Sequence, residues 1–242
     1  MLGGTHDTQR IRTDVKQTRL GPVVFAIVAA ASAGYLVART HYMPYPGAEH
    51  RYTRQLILHY TFSRLDDSII VLGDSLVEAA RLPTSACGHP FVNAGLNGAS
   101  MGSDLGGWLA PALANKQAFA IIVSLGVNDA LTAAPISRQV FAERYASLLA
   151  ELSKLTTRLF IVEIAPLETR GRMTADTQKV TMATIQDYRS VLPEVATQTH
   201  ATLLKLPEMI SPFTIDGVHL NADGYRAWEQ AVTQGASQAC GQ

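Results

Sequence analysis

Cysteine and charge are both scarce in this chain. Among its 242 residues only Cys87 and Cys240 are cysteines, which is too few for a disulfide scaffold, and no Cys-x-x-Cys spacing indicates a zinc or redox site. Charged residues make up 17% of the sequence, and Lys plus Arg equal Asp plus Glu at 20 each. Because there is no basic tract to neutralise phosphates, we expect no nucleic-acid partner.

Metal and nucleotide motifs are missing as well. The sequence has no His-Glu-x-x-His and no cluster of Cys and His that could ligate a metal. The glycine-rich segment "GLNGASMGSDLGG" lacks the Lys-Ser/Thr pair of a P-loop. We therefore expect neither a metal nor a cofactor.

One segment near the N-terminus lacks charge altogether. The nineteen residues 20–38, "LGPVVFAIVAAASAGYLVA", would span about 28 Å as a helix, close to the hydrocarbon thickness of a bilayer. Four basic residues precede this segment, which favours an N-terminus that stays in the cytoplasm. A core helix would need a polar face, and this segment has none. We expect a cytoplasmic segment over 1–19 and a transmembrane signal anchor over 20–38.

A cleaved signal peptide is the alternative for the same segment. Small residues around Ala33 offer a cleavage site. The apolar stretch continues past that site through Val37, and the lead before it is long for a signal peptide, so an uncleaved anchor is favoured. In both cases the rest of the chain is exported.

The remainder of the chain alternates between strands and helices. Residues 39–66 are expected to form a linker with a short amphipathic helix, and 67–242 a single domain. The predicted strands cover 68–73, 90–95, 118–126, 158–166 and 201–206, and the predicted helices 75–83, 103–115, 136–155, 177–199 and 221–236. Pro193 is expected to bend or break its helix. Strands that are apolar on both faces indicate a covered parallel sheet. The predicted fold is therefore a three-layer α/β/α sandwich with a five-stranded parallel, flavodoxin-like sheet.

Polar or small residues follow the first three predicted strands. Ser75 follows the first, Gly95 the second and Asn128 the third, and the carboxyl ends of parallel strands lie along one rim of the sheet. Near the last helix, Asp216 and His219 are three residues apart. The carboxylate can bind one imidazole nitrogen and leave the other to face a serine hydroxyl. Taken singly, each of these residues is equally typical of a helix cap or a turn.

Four sequence blocks in order carry a family resemblance. These are "GDSL" with Ser75, "NAGLNG" with Gly95, "GVND" with Asn128 and "DGVHL" with Asp216 and His219. Together they resemble the SGNH hydrolases, also called the GDSL esterase/lipase family, and "HLNADGYRAW" is similar to that family's continuation into its last helix. The resemblance spans about 66–238.

The resemblance implies a role for each of these residues. Ser75 would be the acyl-accepting nucleophile, His219 the general base and then acid, and Asp216 the group that orients His219. The backbone N–H groups of Ser75 and Gly95 and the side-chain amide of Asn128 would form the oxyanion hole. A serine at the start of a helix also benefits from the helix dipole.

Three further polar residues in these blocks are expected to support loops rather than take part in catalysis. They are Asp74, Asn93 and Asp129. Residues 167–180 are expected to form a loop at the rim of the active site. No metal is needed for this chemistry.

The two cysteines are candidates for a disulfide. In a flavodoxin-like topology the first and last helices lie on the same face and run in the same direction, so Cys87 and Cys240 would both lie at the rim opposite the active site. Export favours a bridge there, and two free thiols are the alternative.

The resemblance leaves the substrate open. A membrane-anchored SGNH domain in the periplasm suggests an esterase for O-acyl groups, above all O-acetyl groups, on a cell-envelope or secreted polysaccharide. An O-acyltransferase with the same triad is the alternative, and a non-catalytic glycan-binding or scaffold protein is an alternative of another class. The expected partners are an acylated carbohydrate or other ester, the membrane, and other polysaccharide-synthesis or export proteins. The expected location is the bacterial inner membrane, single-pass with the domain in the periplasm, or the periplasm itself after signal cleavage.

Overall fold

The computed structural model describes residues 47–171 and 173–241. The expected segments 1–19 and 20–38 lie outside these residues. None of the helices in the described ranges is both long enough and apolar enough to cross a membrane.

A six-stranded sheet forms the centre of the domain. The strands are β1 (Ile69–Gly73), β2 (Ser85–Ala86), β3 (His89–Gly95), β4 (Ala120–Ser124), β5 (Leu159–Val162) and β6 (Thr202–Leu204). Their order is β2-β3-β1-β4-β5-β6. The five expected strands are all present and pair in parallel in the flavodoxin-like order. The expected strand count is wrong by one, because the two-residue β2 adds to β3 in antiparallel. A strand that short leaves no periodic signal in a sequence.

Seven helices in the described ranges surround the sheet. They are α1 (Ala48–Phe62), α2 (Ser75–Glu78), α3 (Leu105–Leu113), α4 (Val127–Ala130), α5 (Arg138–Leu152), α6 (Ala175–Thr199) and α7 (Ala222–Cys240). Along one layer α1 packs on α3, α3 on α5, and α5 on α6, whereas α7 packs on β4, β5 and β6. This arrangement is the expected packing of helices against a central sheet.

Two helix predictions need correction. The helix expected over 75–83 ends at Glu78. The side-chain amide of Asn93 donates to the carbonyls of Val77 and Ala80 at 2.7 and 3.2 Å. It therefore occupies acceptors that further helical turns would use. Of the bend or break expected at Pro193, the break is wrong, since α6 runs through Pro193 to Thr199.

The register of the central strands aligns their carboxyl ends. Every residue of β1 and β4 is buried, which explains why these strands read as continuous apolar runs. Gly73 at the end of β1 pairs with Gly95 of β3 and Ser124 of β4. The chain leaves all three strands at the same edge, and the predicted site residues follow there.

Helix α1 is the amphipathic helix expected within 39–66, and it packs on the domain. Leu58 and Phe62 on its inner face are 1% and 2% exposed and belong to the hydrophobic core. Lys116 fixes its C-terminal end by donating to the Phe62 carbonyl at 2.6 Å. The helix is therefore part of the folded unit.

A disulfide joins Cys87 to Cys240. Cys87 lies in the turn between β2 and β3, at the opposite end of β3 from Gly95, and Cys240 is the last residue of α7. The bridge therefore ties the C-terminal helix to the edge of the sheet away from the candidate site.

Candidate active site

Ser75 is the first residue of α2, directly after β1. Asp74 is the N-cap of this helix, and its Oδ1 accepts a hydrogen bond from the Leu76 N–H at 2.9 Å. A buried strand followed by a capped helix start fixes the serine at the carboxyl edge of the sheet. The cap is Asp74, so the serine hydroxyl is left for other contacts.

Ser75, His219 and Asp216 come together into one hydrogen-bonded chain. Ser75 Oγ lies 3.1 Å from His219 Nε2, and His219 Nδ1 lies 2.8 Å from Asp216 Oδ2. The other carboxylate oxygen accepts from the backbone N–H groups of Val218 and His219 at 3.0 and 2.8 Å. An ionised Asp216 holds the imidazole proton on Nδ1, which leaves Nε2 to accept the serine proton.

The environment of Asp216 keeps it ionised. Burial alone would raise its pKa, but hydrogen bonds from the His219 side chain and backbone and from Val218 outweigh it and lower the pKa to about 2. The side chains of His219 and Asp216 are 46% and 49% exposed. The triad is therefore open to solvent.

The structure corrects the assignment of Gly95 to the oxyanion hole. Its N–H donates to Asn93 Oδ1 at 2.9 Å and so is not available to a substrate. Gly95 has a packing reason to be glycine instead, because a Cβ there would lie 2.1 Å from the backbone nitrogen of Glu78. This position allows α2 to approach β3.

Gly98, three residues later in the same block, fits the oxyanion role better. It is buried, has φ of +75°, and lines a cavity of about 390 Å³ together with Asn128. Within the described residues the N–H groups of Gly98 and Ser75 have no hydrogen-bond acceptor. A buried N–H without a partner is uncommon, so the N–H of Gly98 at this cavity is a candidate donor to a bound oxygen. Ser75 is half-buried and does not line the cavity. The sequence block "NAGLNG" contains both Gly95 and Gly98, and either glycine could be the oxyanion donor.

Asn128 lies where the sequence predicts, in α4 directly after β4. One hydrogen of its amide is donated to the Ala99 carbonyl at 2.9 Å, which fixes the side chain and leaves the second hydrogen for a ligand. Its neighbour Asp129 accepts from the Met101 N–H at 3.1 Å with both oxygens. Burial raises the pKa of Asp129 to about 6.

The three expected loop supports all contact the backbone around the site. Asp74 caps α2, Asp129 holds the loop at Met101, and Asn93 links β3 to the end of α2. Burial raises the pKa of Asp74 to about 7, against the opposing effect of its bond from Leu76. These contacts place the three residues in supporting positions.

Glu168 is a residue that the sequence reasoning missed. Its Oε2 accepts from the Phe213 N–H at 3.0 Å, the Thr214 N–H at 2.6 Å and the Thr214 hydroxyl at 2.5 Å, and its own N–H donates to the Gly217 carbonyl. These bonds hold the loop that carries Asp216. The signal was its place after the fourth strand, where polar residues follow the other strands. Residues 167–180 are only partly a loop, since α6 begins at Ala175.

Solved structures share this fold. A protein from Streptococcus pneumonia with the provisional description platelet activating factor is 20% identical, with a TM-score of 0.64 over 84% of this chain and 98% of that one. A GDSL-like lipase from Bacteroides thetaiotaomicron is 16% identical, with a TM-score of 0.58 over 76% and 98%. An acetyl xylan esterase from Geobacillus stearothermophilus is 15% identical, with a TM-score of 0.52 over 70% and 94%. At these identities the similarity establishes the fold.

Comparison with protein families gives a more specific result. No curated protein sequence matches the chain. The family described as GDSL-like Lipase/Acylhydrolase matches residues 71–227, a range that contains the triad, Gly98 and Asn128. The chain therefore belongs to the GDSL-like lipase/acylhydrolase family and is an SGNH-type hydrolase.

Proposed function

We propose that this protein is a serine esterase that removes O-acyl groups, above all O-acetyl groups, from a cell-envelope or secreted polysaccharide. Ser75 attacks the ester carbonyl while His219 Nε2 takes the hydroxyl proton. His219 then delivers that proton to the departing sugar oxygen, and water repeats the sequence to release the acid and restore the serine. The observation that carries this proposal is the hydrogen-bonded chain from Ser75 through His219 to Asp216.

The oxyanion of the tetrahedral intermediate would be stabilised by three donors. These are the backbone N–H groups of Ser75 and Gly98 and the second hydrogen of the Asn128 amide. The two N–H groups have no acceptor among the described residues, and Gly98 and Asn128 share one cavity. Donors fixed in advance cost no reorganisation when charge develops.

Three observations support a carbohydrate ester as the substrate. The half-exposed side chains of His219 and Asp216 leave room for a bulky polymer. Beside Asn128, the cavity is lined by side chains that can hydrogen bond with sugar hydroxyls, including Ser100, Thr132 and Arg144. The fold is also shared with an acetyl xylan esterase.

The proposal is tested by comparing ester substrates. The full chain and its Ser75→Ala variant are assayed for acetate release from acetylated oligosaccharides and for hydrolysis of acetyl and long-chain p-nitrophenyl esters. We expect acetate release that depends on Ser75 and a strong preference for acetyl over long acyl chains. Preference for long chains would point to a lipid substrate. Transfer of acetyl to an added oligosaccharide, faster than its hydrolysis, would make the protein an acyltransferase.

We also propose that the domain is exported and held at the membrane by residues 20–38. The uncharged sequence of that segment supports the anchor, and the Cys87–Cys240 bond supports export, since disulfides persist in oxidising compartments. Fractionation of cells that produce the full chain tests this proposal. We expect the protein in the membrane fraction and open to protease added to the periplasm, whereas recovery from the cytoplasm would contradict it.

A further inference from the structure

The N-terminal turns of α1 lie against the segment that carries Gly98, one of the three proposed oxyanion donors. We call residues 96–103, which follow β3, the oxyanion loop. Arg54 of α1 donates from Nε to the Gly95 carbonyl at 3.1 Å and from Nη2 to the Asn93 carbonyl at 3.0 Å. A longer contact of 3.5 Å reaches Asn93 Oδ1, the atom that occupies the Gly95 N–H. The guanidinium therefore holds the backbone at the start of the oxyanion loop.

The rest of the loop is held from the same helix. Arg51 donates to the carbonyls of Ser103 and Asp104 at 2.6 and 2.8 Å, at the far end of the loop. His50 Nε2 lies 3.0 Å from Glu78 Oε2, and the same oxygen accepts from the Asn97 N–H at 2.5 Å. The first two turns of α1 therefore bind the backbone just before the loop through Arg54 and the end of the loop through Arg51. They reach Asn97 only through Glu78.

The contacts of Arg54 indicate a specific task for this residue. Among the described residues its hydrogen bonds go only to Asn93 and Gly95, and it forms no ion pair there. A charged guanidinium whose N–H groups donate to two carbonyls fixes the direction of both peptide groups, since the planar guanidinium sets the angles of its hydrogen bonds. Half-buried surroundings strengthen such bonds relative to bulk water.

From Gly95 the constraint continues to the oxyanion donors. The Leu96 N–H donates to the Gly73 carbonyl, and the Leu96 carbonyl accepts from the Ala99 N–H, each at 2.9 Å. This turn contains Gly98. The Ala99 carbonyl in turn accepts from the Asn128 amide. The orientation of the Gly95 peptide is therefore connected through one short turn to two of the three proposed donors.

We propose that Arg54 is a positioning residue for the oxyanion hole and that α1 is a working part of the active site. The family match begins at residue 71, whereas α1 covers Ala48–Phe62, so this role belongs to a part of the chain that the family match does not include. The inference rests on the proposed function, because it needs Gly98 and Asn128 to stabilise an oxyanion. Arg54 itself touches no reacting atom and acts through the backbone of Gly95.

The expected effect is on turnover rather than on binding. Loss of one oxyanion donor typically lowers kcat by about 100-fold or more, and a misplacement of about 1 Å can cost a similar factor. Removing Arg54 should displace the donors without deleting them. We therefore expect kcat to fall by about 10- to 100-fold with KM changed by less than about twofold.

The neighbouring residue Gln55 offers a matched control. It lies on the same helix and donates from Nε2 to the Trp108 carbonyl of α3 at 2.6 Å, away from the oxyanion loop. Replacing it with methionine removes one bond that docks α1, whereas Arg54→Met removes the bonds to the carbonyls of Gly95 and Asn93. A purely structural role for Arg54 predicts that kcat and thermal stability fall together in the same proportion in the two variants.

The experiment measures kcat and KM for p-nitrophenyl acetate, together with the thermal midpoint, in the full chain. The variants are Arg54→Met, Arg54→Lys, Gln55→Met and Ser75→Ala. We expect Arg54→Met to lose kcat as stated, Gln55→Met to stay within about twofold of the wild type, and Arg54→Lys to recover part of the loss because one ammonium can bind one carbonyl. If Arg54→Met does not fold, Arg54→Lys alone tests the inference. We then expect Arg54→Lys to show a kcat several-fold below that of the wild type with an unchanged KM.

Each contrary outcome has one meaning. Wild-type kcat in Arg54→Met, or in Arg54→Lys where it decides alone, overturns the inference, and so does an equal loss of kcat in Arg54→Met and Gln55→Met. Both results leave the proposed function standing if Ser75→Ala is inactive. Wild-type activity in Ser75→Ala would instead refute the proposed function, and the positioning role with it.

Discussion

Replacing Glu168 with glutamine should loosen the loop that carries Asp216 and His219. Glu168 is 8% exposed, and three donors from Phe213 and Thr214 converge on one of its oxygens. A hydrogen bond to a charged acceptor contributes about 1.5–3 kcal/mol, against about 0.5–1.5 kcal/mol for a neutral one. Allowing for relaxation, we expect Glu168→Gln to lower the free energy of unfolding by about 2 kcal/mol, which is about 4–8 °C in the thermal midpoint.

The effect of Glu168 should depend on pH in a defined direction. Burial raises its pKa, but hydrogen bonds from Ser211, Thr214 and Phe213 outweigh this effect, so the folded-state pKa is lowered. A carboxyl with a lowered pKa stabilises the fold above its unfolded pKa, and this contribution is lost as the pH falls through the folded value. The difference between wild type and Glu168→Gln should be full at pH 7 and shrink below about pH 4.

Calorimetry or circular dichroism from pH 3 to pH 7 measures this difference in stability between wild type and variant. In the same variant, kcat for an acetyl ester should fall by about tenfold because His219 loses its alignment. Glu194→Gln serves as the control, since Glu194 is exposed and bonds only to Gln198 among the described residues. A midpoint equal to that of the wild type at pH 7, or a difference that does not vary with pH, would refute the assigned role of Glu168.

Three further changes have expected outcomes. Asn128→Ala should lower kcat by about 100-fold or more with little change in KM, and steady-state kinetics on an acetyl ester that show wild-type turnover would exclude this donor. Asp74→Asn should remove a pH dependence of stability. Because the pKa of Asp74 is raised, the folded state holds the proton, and the unfolding free energy of the wild type should fall by on the order of a few kcal/mol as the pH rises from about 4 to 7. Denaturant titrations in which the unfolding free energy of the variant depends on pH as steeply as that of the wild type would contradict this. Reducing the Cys87–Cys240 bond, which closes a separation of 153 residues, should cost about 2–5 kcal/mol in unfolding free energy with activity kept at low temperature; an unchanged denaturation midpoint after reduction would count against the bridge.

The order of the parallel strands and the meeting of Ser75 with His219 could be predicted from the sequence. Buried strands leave long apolar runs, and a parallel sheet requires their carboxyl ends to share one rim. The motif blocks therefore indicated which residues converge without any knowledge of distances.

Other features depend on contacts that no local pattern records. Gly95 and Gly98 are both glycines in one block, and only the bond from the Gly95 N–H to Asn93 separates their roles. The early end of α2 follows from the same Asn93 side chain. Glu168 and Arg54 are ordinary charged residues in the sequence. Their roles depend on hydrogen bonds to backbone groups that are distant in the sequence, and only the structure shows these bonds.

The central claim is that Ser75 carries the acyl group during turnover. The full chain is mixed with an activated acetyl ester, quenched in acid within the first turnover, and digested for mass spectrometry. The account predicts one acetyl group on the peptide that contains Ser75, and none in Ser75→Ala, which should also lose ester hydrolysis. Hydrolysis at the wild-type rate in Ser75→Ala, with no acetyl on Ser75 in the wild type, would contradict it.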